Sequence, residues 1–260
     1  MRTKVFSGPL LGVVGILLFL LVWEAIPRLG LVSPQYLPPA SDVVTRLIQY
    51  FGDPEFWNDV AETMITWAIG LGIAAGAAIV LGLVIGSSPF LRKATHSTIE
   101  FFRPVPSVAL IPLAVLLFGI KMESTIMLII YAAFWQVLLQ VLYGVADIDS
   151  VANDTAKSYG LGTLARMRYV VWPTTLPYLM TGIRLGAAVA LILAITGELL
   201  IGSPGLGKQI ALTQAGGAVT SMYALILATG FIGVIINLFA RAVERRVLAW
   251  HTSVRGEVIV

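Results

Sequence analysis

Long apolar stretches with few charges constrain this sequence more than any other feature. A bilayer core is about 30 Å thick, and a helix needs about 20 apolar residues to span it. Six stretches are long enough to be spans or parts of spans, at approximately residues 7–27, 62–88, 104–120, 124–146, 176–200 and 220–243. Only 12% of the residues are charged, whereas soluble domains have about 25%. The chain therefore has too few charged residues to form the surface of a soluble protein. The sequence predicts an all-α polytopic membrane protein with about six transmembrane helices in a single domain, residues 1–260.

The first stretch has two interpretations. Arg2 and Lys4 precede it, and a basic start also suits a secretory signal peptide. However, the apolar run is long for a signal peptide, and no small-residue cleavage site follows it. A retained first span is therefore the favoured interpretation.

The distribution of Lys and Arg predicts the orientation of the spans, because cytoplasmic loops are enriched in both residues. With the N-terminus inside and six crossings, thirteen basic residues fall on the cytoplasmic side and four on the outside. Both termini and the loop 147–175 are therefore predicted to be cytoplasmic. The segment 28–58 is then extracytoplasmic.

Two segments outside the spans have predicted structure. In segment 28–58, Ser41 or Asp42 can cap a short amphipathic helix on the outer membrane face. Its apolar residues are Val43, Val44, Leu47 and Ile48. The apolar run from 209 to 240 exceeds one span and contains Gly216-Gly217. We therefore interpret residues 209–220 as a re-entrant or surface piece.

Glycine and proline indicate how two spans are shaped. In span 62–88, the pairs Gly72/Gly76 and Gly82/Gly86 are spaced by four residues, so each pair lies on one helix face and can let another helix approach. Gly and Ala are also common in membrane helices, so a purely compositional origin stays open. In span 104–120, Pro112 predicts a kink.

A polar stretch, DTAKSYGLGTLARMRYVVWP, separates the fourth and fifth spans. Asn153 or Asp154 can cap a first short helix, and Gly160 permits a turn after it. A second helix can start at Thr163, and Pro173 is expected to end it, because the residue before a proline is pushed out of the helical region. The sequence therefore predicts two short helices across the cytoplasmic mouth.

This stretch resembles the cytoplasmic EAA loop of ABC importer permeases. The family pattern is E-A-A, three residues, Gly, nine residues and I-x-L-P. The spacing fits throughout, with Asp for Glu, Thr for the first Ala and Trp for Leu. In that family the loop folds as a short coupling helix that docks into the ATP-hydrolysing subunit. The resemblance implies these ATPase-coupling residues: Asp154, Thr155, Ala156, Tyr159, Gly160, Leu161, Arg166 and Pro173.

Further motifs are similar to the permeases for nitrate, taurine, alkanesulfonates and bicarbonate. They include Arg103-Pro104-Val105-Pro106, Gly197-Glu198-Leu199-Leu200, Gly205-Leu206-Gly207 and Glu244-Arg245-Arg246 with Trp250-His251. The resemblance implies a type I ABC importer permease architecture. It also implies a homodimer of permeases, two ATP-binding subunits and an extracytoplasmic substrate-binding protein. The same subfamily includes importers of thiamine precursors and other heterocycles, so that alternative stays open.

The implied function is that of the transmembrane subunit of an ATP-driven importer in the bacterial plasma (inner) membrane. The chain would form the pathway for a small solute, with a small anion such as nitrate, a sulfonate (taurine) or bicarbonate favoured. It would not be an enzyme and would bind no cofactor, because ATP and Mg²⁺ would be bound by the partner ATPase. It would contact membrane lipid but no nucleic acid.

Several residues in or near the spans are candidates for the translocation pathway or a gate: Arg103, Pro106, Trp135, Gln136, Arg184 and Glu198. A carboxylate within a span is costly and usually faces the bundle interior or an aqueous cavity. Glu198 is therefore expected to act in a gate or pair with a basic group, unless it lies in water at the headgroup level. Arg103 and Arg184 can attract an anion or snorkel to headgroups. Gln136 can bond across helices or touch the solute.

Two other classes of function fit less well. An intramembrane enzyme needs polar catalytic residues at one membrane depth, and no Ser/His/Asp grouping stands out. A secondary transporter usually has more charge near the membrane midplane and often an internal repeat, and neither is apparent in this sequence.

The two histidines, His96 and His251, are isolated, so no metal site is predicted. The glycine-rich GSPGLG at 202–207 lacks the Lys-Ser/Thr pair of a P-loop.

Overall fold

The computed structural model describes residues 8–250, and these residues form helices joined by short connections. The helices are α1 (Gly8–Arg28), α2 (Ala40–Tyr50), α3 (Pro54–Ser87), α4 (Pro89–Phe102), α5 (Ile111–Phe118), α6 (Met122–Ala146), α7 (Ser150–Ser158), α8 (Thr163–Arg166), α9 (Trp172–Ile201), α10 (Leu206–Ala215) and α11 (Val219–Val247). The described range contains no strand, which confirms the predicted all-α class. Arg2, Lys4 and His251 lie outside the described residues.

Five helices between residues 8 and 250 are long and apolar enough to cross a membrane. They are Leu11–Arg28, Pro54–Ser87, Met122–Ala146, Thr163–Ile201 and Val219–Val247. A sixth crossing is available only if a bent pair of helical pieces, Pro89–Phe102 and Ser107–Phe118, counts as one span. The predicted number of about six transmembrane helices is thereby confirmed.

The predicted span 104–120 is not one straight helix. α4 and the following helical piece meet at an angle of 82°, and the break contains Pro104 and Pro106. Pro112 does not produce a kink, because it falls in the first turn of α5, where the missing N–H leaves no helical hydrogen bond unmade.

α3 packs against α6 through a face of small residues. Every fourth residue of α3 is buried along this face: Gly70, Ala74, Ala78, Gly82 and Gly86. A Cβ at Gly82 would overlap Val141 of α6, and one at Gly86 would overlap Val145. Small side chains therefore let the two backbones approach closely, as is common between membrane helices.

The other predicted glycine pair lies elsewhere. Gly72 and Gly76 are exposed, and a Cβ at either position would meet no other atom within 4 Å. A spacing of four predicts that two residues share a helix face, but it does not say which face meets a neighbour. Only the second pair, Gly82/Gly86, is therefore part of the packing face within this chain.

α6 and α9 run antiparallel as the most extensively packed pair. Glycines again allow the approach, since a Cβ at Gly144 would overlap Thr175 and one at Gly197 would overlap Thr125. The indole Nε1 of Trp67 donates a hydrogen bond to the carbonyl of Ala187 (2.9 Å), which ties α3 to α9. These three helices form the centre of the bundle.

α2 is the amphipathic helix expected in segment 28–58, but its capping and burial differ from the prediction. Pro39 is its N-cap and supplies no side-chain hydrogen bond. Ser41 instead donates its backbone N–H and its hydroxyl to the Glu24 carboxylate, both at 2.9 Å, so it joins α2 to α1. Val43 and Leu47 are buried against α11 and α10, whereas Val44 and Ile48 are exposed.

The stretch 209–220 contains most of α10, a short helix that packs against α9 and α11. Its N-terminal half is buried, at Leu206, Gly207 and Ile210. The chain then turns at Gly216-Gly217, where Gly217 has a φ of +69°. α10 is therefore a separate helix ahead of α11 and not an extension of it.

Candidate functional site

The connection between α6 and α8 contains the short helix α7. The Asp149 side chain caps α7, because its Oδ1 accepts a hydrogen bond from the N–H of Val151 (2.9 Å). The predicted caps Asn153 and Asp154 are wrong, since both lie inside the helix. Asp149 satisfies an N–H that has no partner within the helix, so α7 begins one turn earlier than the sequence indicated.

Gly160 ends α7 in the left-handed conformation, with a φ of +76°. The N–H of Gly160 donates to the carbonyl of Lys157 (2.9 Å), and the N–H of Leu161 donates to the carbonyl of Ala156 (3.0 Å). This is the Schellman arrangement, which satisfies the last carbonyls of a helix. The turn predicted at Gly160 is therefore present, and α7 is held at both of its ends.

α7 and α8 present apolar side chains to solvent. The exposed fractions are 70% for Val151, 81% for Tyr159 and 84% for Leu164. Only Ala156 is buried in α7. Large apolar side chains this exposed on a polar segment are typical of a protein interaction site. The sequence analysis missed Val151 and Leu164, although both are apolar residues within a polar stretch.

The predicted coupling residues divide into an exposed group and a supporting group. Asp154, Thr155 and Tyr159 are exposed, and Asp154 forms a surface ion pair with Lys157 at 2.7 Å. Arg166 does not point outward: its Nη1 donates to the Asn153 side-chain oxygen (3.2 Å), which ties α8 to α7. The supporting group lies within the fold of the segment. Ala156 is buried in α7, the N–H groups of Gly160 and Leu161 close that helix, and Pro173 lies at the start of α9.

Pro173 does not end the second helix. α8 continues through a wider π-helical turn, Met167–Val171, directly into α9. Pro173 lies in the first turn of α9, and such wide turns accommodate local interruptions of the regular helical bonding. The Thr174 hydroxyl donates to the Val170 carbonyl (2.8 Å). Instead of two short helices, one short helix precedes a continuous helical span from 163 to 201.

A second candidate site lies at the opposite end of the bundle, around the buried Glu198. Its side chain has no exposure. Its Oε2 accepts from the Thr63 hydroxyl of α3 and from the Gly207 N–H of α10, each at 2.9 Å. The Leu206 N–H donates to the Thr63 oxygen (3.0 Å). Glu198 therefore joins α9 to α3 and to the first turn of α10.

The interpretations that placed Glu198 in water or opposite a basic group are wrong. Its hydrogen-bond partners are a hydroxyl and a backbone amide, and its Oε1 has no partner within residues 8–250. A carboxylate buried at no exposure also presents no atom to a passing solute in this conformation.

Glycines close the space around this carboxylate. Gly205 has φ +137° and ψ −176°, a region that glycine alone adopts readily, and a Cβ there would overlap the Glu198 carboxylate. A Cβ at Gly207 would overlap the Ile195 carbonyl oxygen. Nearby, the buried hydroxyls of Thr125 and Ser203 are hydrogen-bonded at 2.8 Å, which adds α6 to the assembly. We call this group the Glu198 cluster: Thr63, Thr125, Glu198, Ser203, Gly205 and Gly207.

Arg184 has a partner that the sequence did not indicate. Its Nη1 lies 3.0 Å from Oε2 of Glu244 on α11, and both side chains are partly buried. The guanidinium therefore holds α11 against α9, and it is neither free to attract an anion nor extended to the headgroups. For Arg184 the snorkelling interpretation is thus wrong.

The remaining pathway candidates are scattered. Arg103 and Pro106 are exposed at the bend between α4 and α5. Trp135 packs edge-on against Phe134 and its buried Nε1 has no hydrogen-bond partner among the described residues. The half-buried Gln136 side chain makes no hydrogen bond within residues 8–250, so it does not join helices within this chain. No grouping of three or more potential metal ligands occurs in the described range.

Comparisons with known proteins agree with this architecture. The profile of a family described as "Binding-protein-dependent transport system inner membrane component" matches residues 78–249. The chain is 32% identical to the taurine transport system permease protein of Escherichia coli (strain K12), over 91% of this chain and 88% of that one. It is 26% identical to a putative aliphatic sulfonates transport permease protein of Bacillus subtilis (strain 168), over 90% and 85%.

A solved structure shares the fold. An inward-facing structure of the MetNI methionine ABC transporter matches with a TM-score of 0.64 and 18% sequence identity. The match covers 75% of this chain and 98% of that chain. The predicted type I importer permease architecture is therefore confirmed.

Proposed function

The chain belongs to the family of binding-protein-dependent transport system inner-membrane components, and from this premise we propose that it imports a sulfonate-class anion such as taurine. As a member of that family it is a permease, the non-catalytic transmembrane subunit of an ABC importer. Its activity is therefore a change between conformations. The ATP hydrolysis that drives this change would take place in another subunit.

One observation carries the solute proposal. The similarity to the taurine permease extends over 91% of this chain at 32% identity. It therefore includes the spans as well as the loop 147–175, which we call the coupling segment. The similarity to a putative aliphatic sulfonates permease points to the same solute class. Nitrate, bicarbonate and a thiamine-precursor-like heterocycle are the competing solutes.

The proposed contact with the ATPase is the exposed surface of α7 and α8. Val151, Tyr159 and Leu164 would supply apolar contacts, and Asp154 a charge at the edge. α7 is capped by Asp149 and closed at Gly160, so it can move as a rigid body when the ATPase subunits close. Because α8 continues into α9, such a movement passes directly to a central helix.

The Glu198 cluster is the proposed support of the gate at the other end. It joins α3, α9 and α10, so these elements would move together between the two access states. Proteins that alternate between states commonly do so by rigid-body movement of packed elements. In this proposal Glu198 positions the gate and does not contact the solute.

The proposed assembly contains two copies of this chain, two ATP-binding subunits and an extracytoplasmic substrate-binding protein, in a bacterial plasma membrane. The distribution of basic residues supports cytoplasmic termini and a cytoplasmic α7. Mg²⁺ and ATP would bind to the partner subunits alone.

The test is reconstitution with the products of the neighbouring reading frames, among which we expect an ATPase and a binding protein. The permease is co-purified with its neighbouring ATPase in nanodiscs, and hydrolysis is measured with binding proteins loaded with taurine, an alkanesulfonate, nitrate, bicarbonate or a thiamine precursor. We expect stimulation by the taurine- or sulfonate-loaded protein. If only a binding protein loaded with one of the other solutes stimulated hydrolysis, that solute would take the place of the sulfonate in the proposal. If no ATPase co-purified, the proposed assembly with that ATPase would be wrong.

The coupling contact has its own test. Asp154→Arg and Gly160→Pro should leave the chain inserted in the membrane but abolish uptake and weaken its association with the ATPase. Proline fixes φ near −65°, which is incompatible with the φ of +76° at Gly160. Normal uptake and association in both variants would refute the proposed contact.

A further inference from the structure

A cavity of about 370 Å³ lies behind α7, on the side away from its exposed apolar residues. Its walls come from the end of α3, from α4, from the end of α6 and from α7 and α8. Its polar lining consists of Ser87, Arg92, Ser150, Asn153, Thr163 and Arg166. The cavity therefore lies between the coupling segment and the central helices.

Two guanidinium groups line this cavity, and no carboxylate does. Arg92 donates from Nη2 to the Gly86 carbonyl (2.6 Å), and Arg166 donates from Nη1 to the Asn153 side-chain oxygen (3.2 Å). Within residues 8–250 neither arginine forms a salt bridge. Two positive charges therefore face one cavity without a compensating negative charge.

Arg166 has a donor for which the described chain supplies no acceptor. Its Nε is buried from solvent and has no hydrogen-bond partner. Leaving a buried donor of a charged group unpaired is costly, and an arginine presents several further N–H groups in a rigid planar fork. The side chains of Ser87, Ser150 and Thr163 also make no hydrogen bond to the described residues. The lining therefore offers several unused donors.

We propose that this cavity binds an oxyanion of the phosphate or sulfate class. Such a group has several acceptor oxygens, and arginine pairs with two of them at once. The anion would connect Arg92 of α4 with Arg166 of α8. The required group can be a free anion or the phosphate of a lipid headgroup, and both have the same recognition chemistry.

A bound oxyanion would bias the position of the coupling segment. Arg92 also holds the end of α3 through the Gly86 carbonyl, and Arg166 also holds α7 through Asn153. The anion would therefore link α7 to the central helices, and it would stabilise the conformation in which both arginines line the cavity. This inference goes beyond the proposed function, because neither the solute pathway nor the ATPase contact uses the cavity.

The test measures binding of radiolabelled inorganic phosphate to the full-length chain in phosphatidylcholine nanodiscs. We expect saturable binding that is weakened at least tenfold in Arg166→Gln and, independently, in Arg92→Gln. Arg166→Lys should also bind more weakly, because lysine keeps the charge but lacks the fork. The control is Arg168→Gln, since Arg168 is an exposed neighbour that does not line the cavity, and its binding should equal wild type.

A second arm identifies the source of the anion. In nanodiscs that contain phosphatidylglycerol, native mass spectrometry should detect a retained lipid that both glutamine variants lose if the headgroup is the occupant. Undiminished binding of free phosphate in these nanodiscs would identify a soluble anion; either result supports the site. Thermal unfolding of each variant verifies that it is folded. Absence of anion and lipid binding in folded wild type, or equal binding by wild type and both glutamine variants, would overturn the proposal.

Discussion

The Glu198 cluster and the coupling segment around α7 lie at opposite ends of the bundle and differ in how their side chains are packed. The cluster buries a carboxylate and three hydroxyls and connects four helices through them. α7 forms its hydrogen bonds mostly within its own segment, and its large apolar side chains face solvent. The first region is buried by helices of this chain, whereas the second has an apolar surface that faces solvent.

This difference shows how force can pass through the molecule. A segment that is capped at both ends but weakly packed can follow an external partner without unfolding. A cluster that joins several helices resists deformation and moves them together. Substitutions in the cluster should therefore reduce stability, whereas substitutions on the exposed side of α7 should reduce association and leave stability unchanged.

The largest expected effect is that of Gly205→Ala. The new Cβ would overlap the Glu198 carboxylate and the backbone would occupy a region that only glycine adopts readily, so we expect the free energy of unfolding to fall by at least about 3 kcal/mol. Denaturant titration in mixed micelles measures the change.

The matched control for this substitution is Gly217→Ala. Gly217 also has a positive φ, +69°, but a Cβ there would meet no atom within 4 Å. Only backbone strain remains, so we expect a loss of about 1 kcal/mol. Equal losses at Gly205 and Gly217 would show that the close packing around Glu198 contributes nothing.

Glu198→Ala should have the next largest effect. It leaves the buried Gly207 N–H and the Thr63 hydroxyl without their acceptor, which costs about 2 kcal/mol. Glu198→Gln keeps one acceptor oxygen and should lose distinctly less in the same titration. If alanine were no worse than glutamine, hydrogen-bond acceptance would not be the role of this side chain.

Leu164→Asp and Val151→Asp test the other side of the comparison. Each places a charge on the exposed apolar surface of the coupling segment, and we expect at least tenfold weaker association with the ATPase, equivalent to about 1.4 kcal/mol. The apparent melting temperature should not change. Tyr36→Asp is the control, since Tyr36 is 75% exposed but lies outside the coupling segment. A stability loss without an association loss would contradict the assignment.

The smallest effect is expected at the Arg184–Glu244 pair. Because both side chains are partly exposed, a double-mutant cycle with Arg184→Gln and Glu244→Gln should give a coupling energy of about 0.5–1 kcal/mol. A coupling energy near zero would mean that this ion pair does not hold α11 to α9.

The sequence predicted some local features, such as a turn, but it did not predict which residues distant in sequence would form hydrogen bonds. Gly160 was recognised as a turn because glycine has a specific conformational use after a helix. The cap was misassigned because the segment offers several capping side chains, and only the structure shows that Asp149 is used. The partner of Glu198 is Thr63, and its remoteness in sequence leaves no local pattern that could indicate it.

The predicted effects of two prolines were wrong, because each proline lies at a different position in its helix from the one assumed. Pro173 is expected to end a helix that precedes it, yet a π-helical turn carries the chain through it into α9. Pro112 is expected to kink a helix interior, yet the chain bends before it and places it in a first turn. The sequence marks such residues, but their effect depends on where each helix begins.

Cross-linking from α7 tests the central claim most directly. The chain has no natural cysteine, so Ser158→Cys on the exposed end of α7 and Gln35→Cys between α1 and α2 each carry a single thiol. Both variants are assembled with the neighbouring ATPase and treated with a thiol-directed photoreactive cross-linker. We predict that Ser158→Cys forms a covalent product with the ATPase and that Gln35→Cys does not. An intact complex in which only Gln35→Cys reacts with the ATPase would contradict the account.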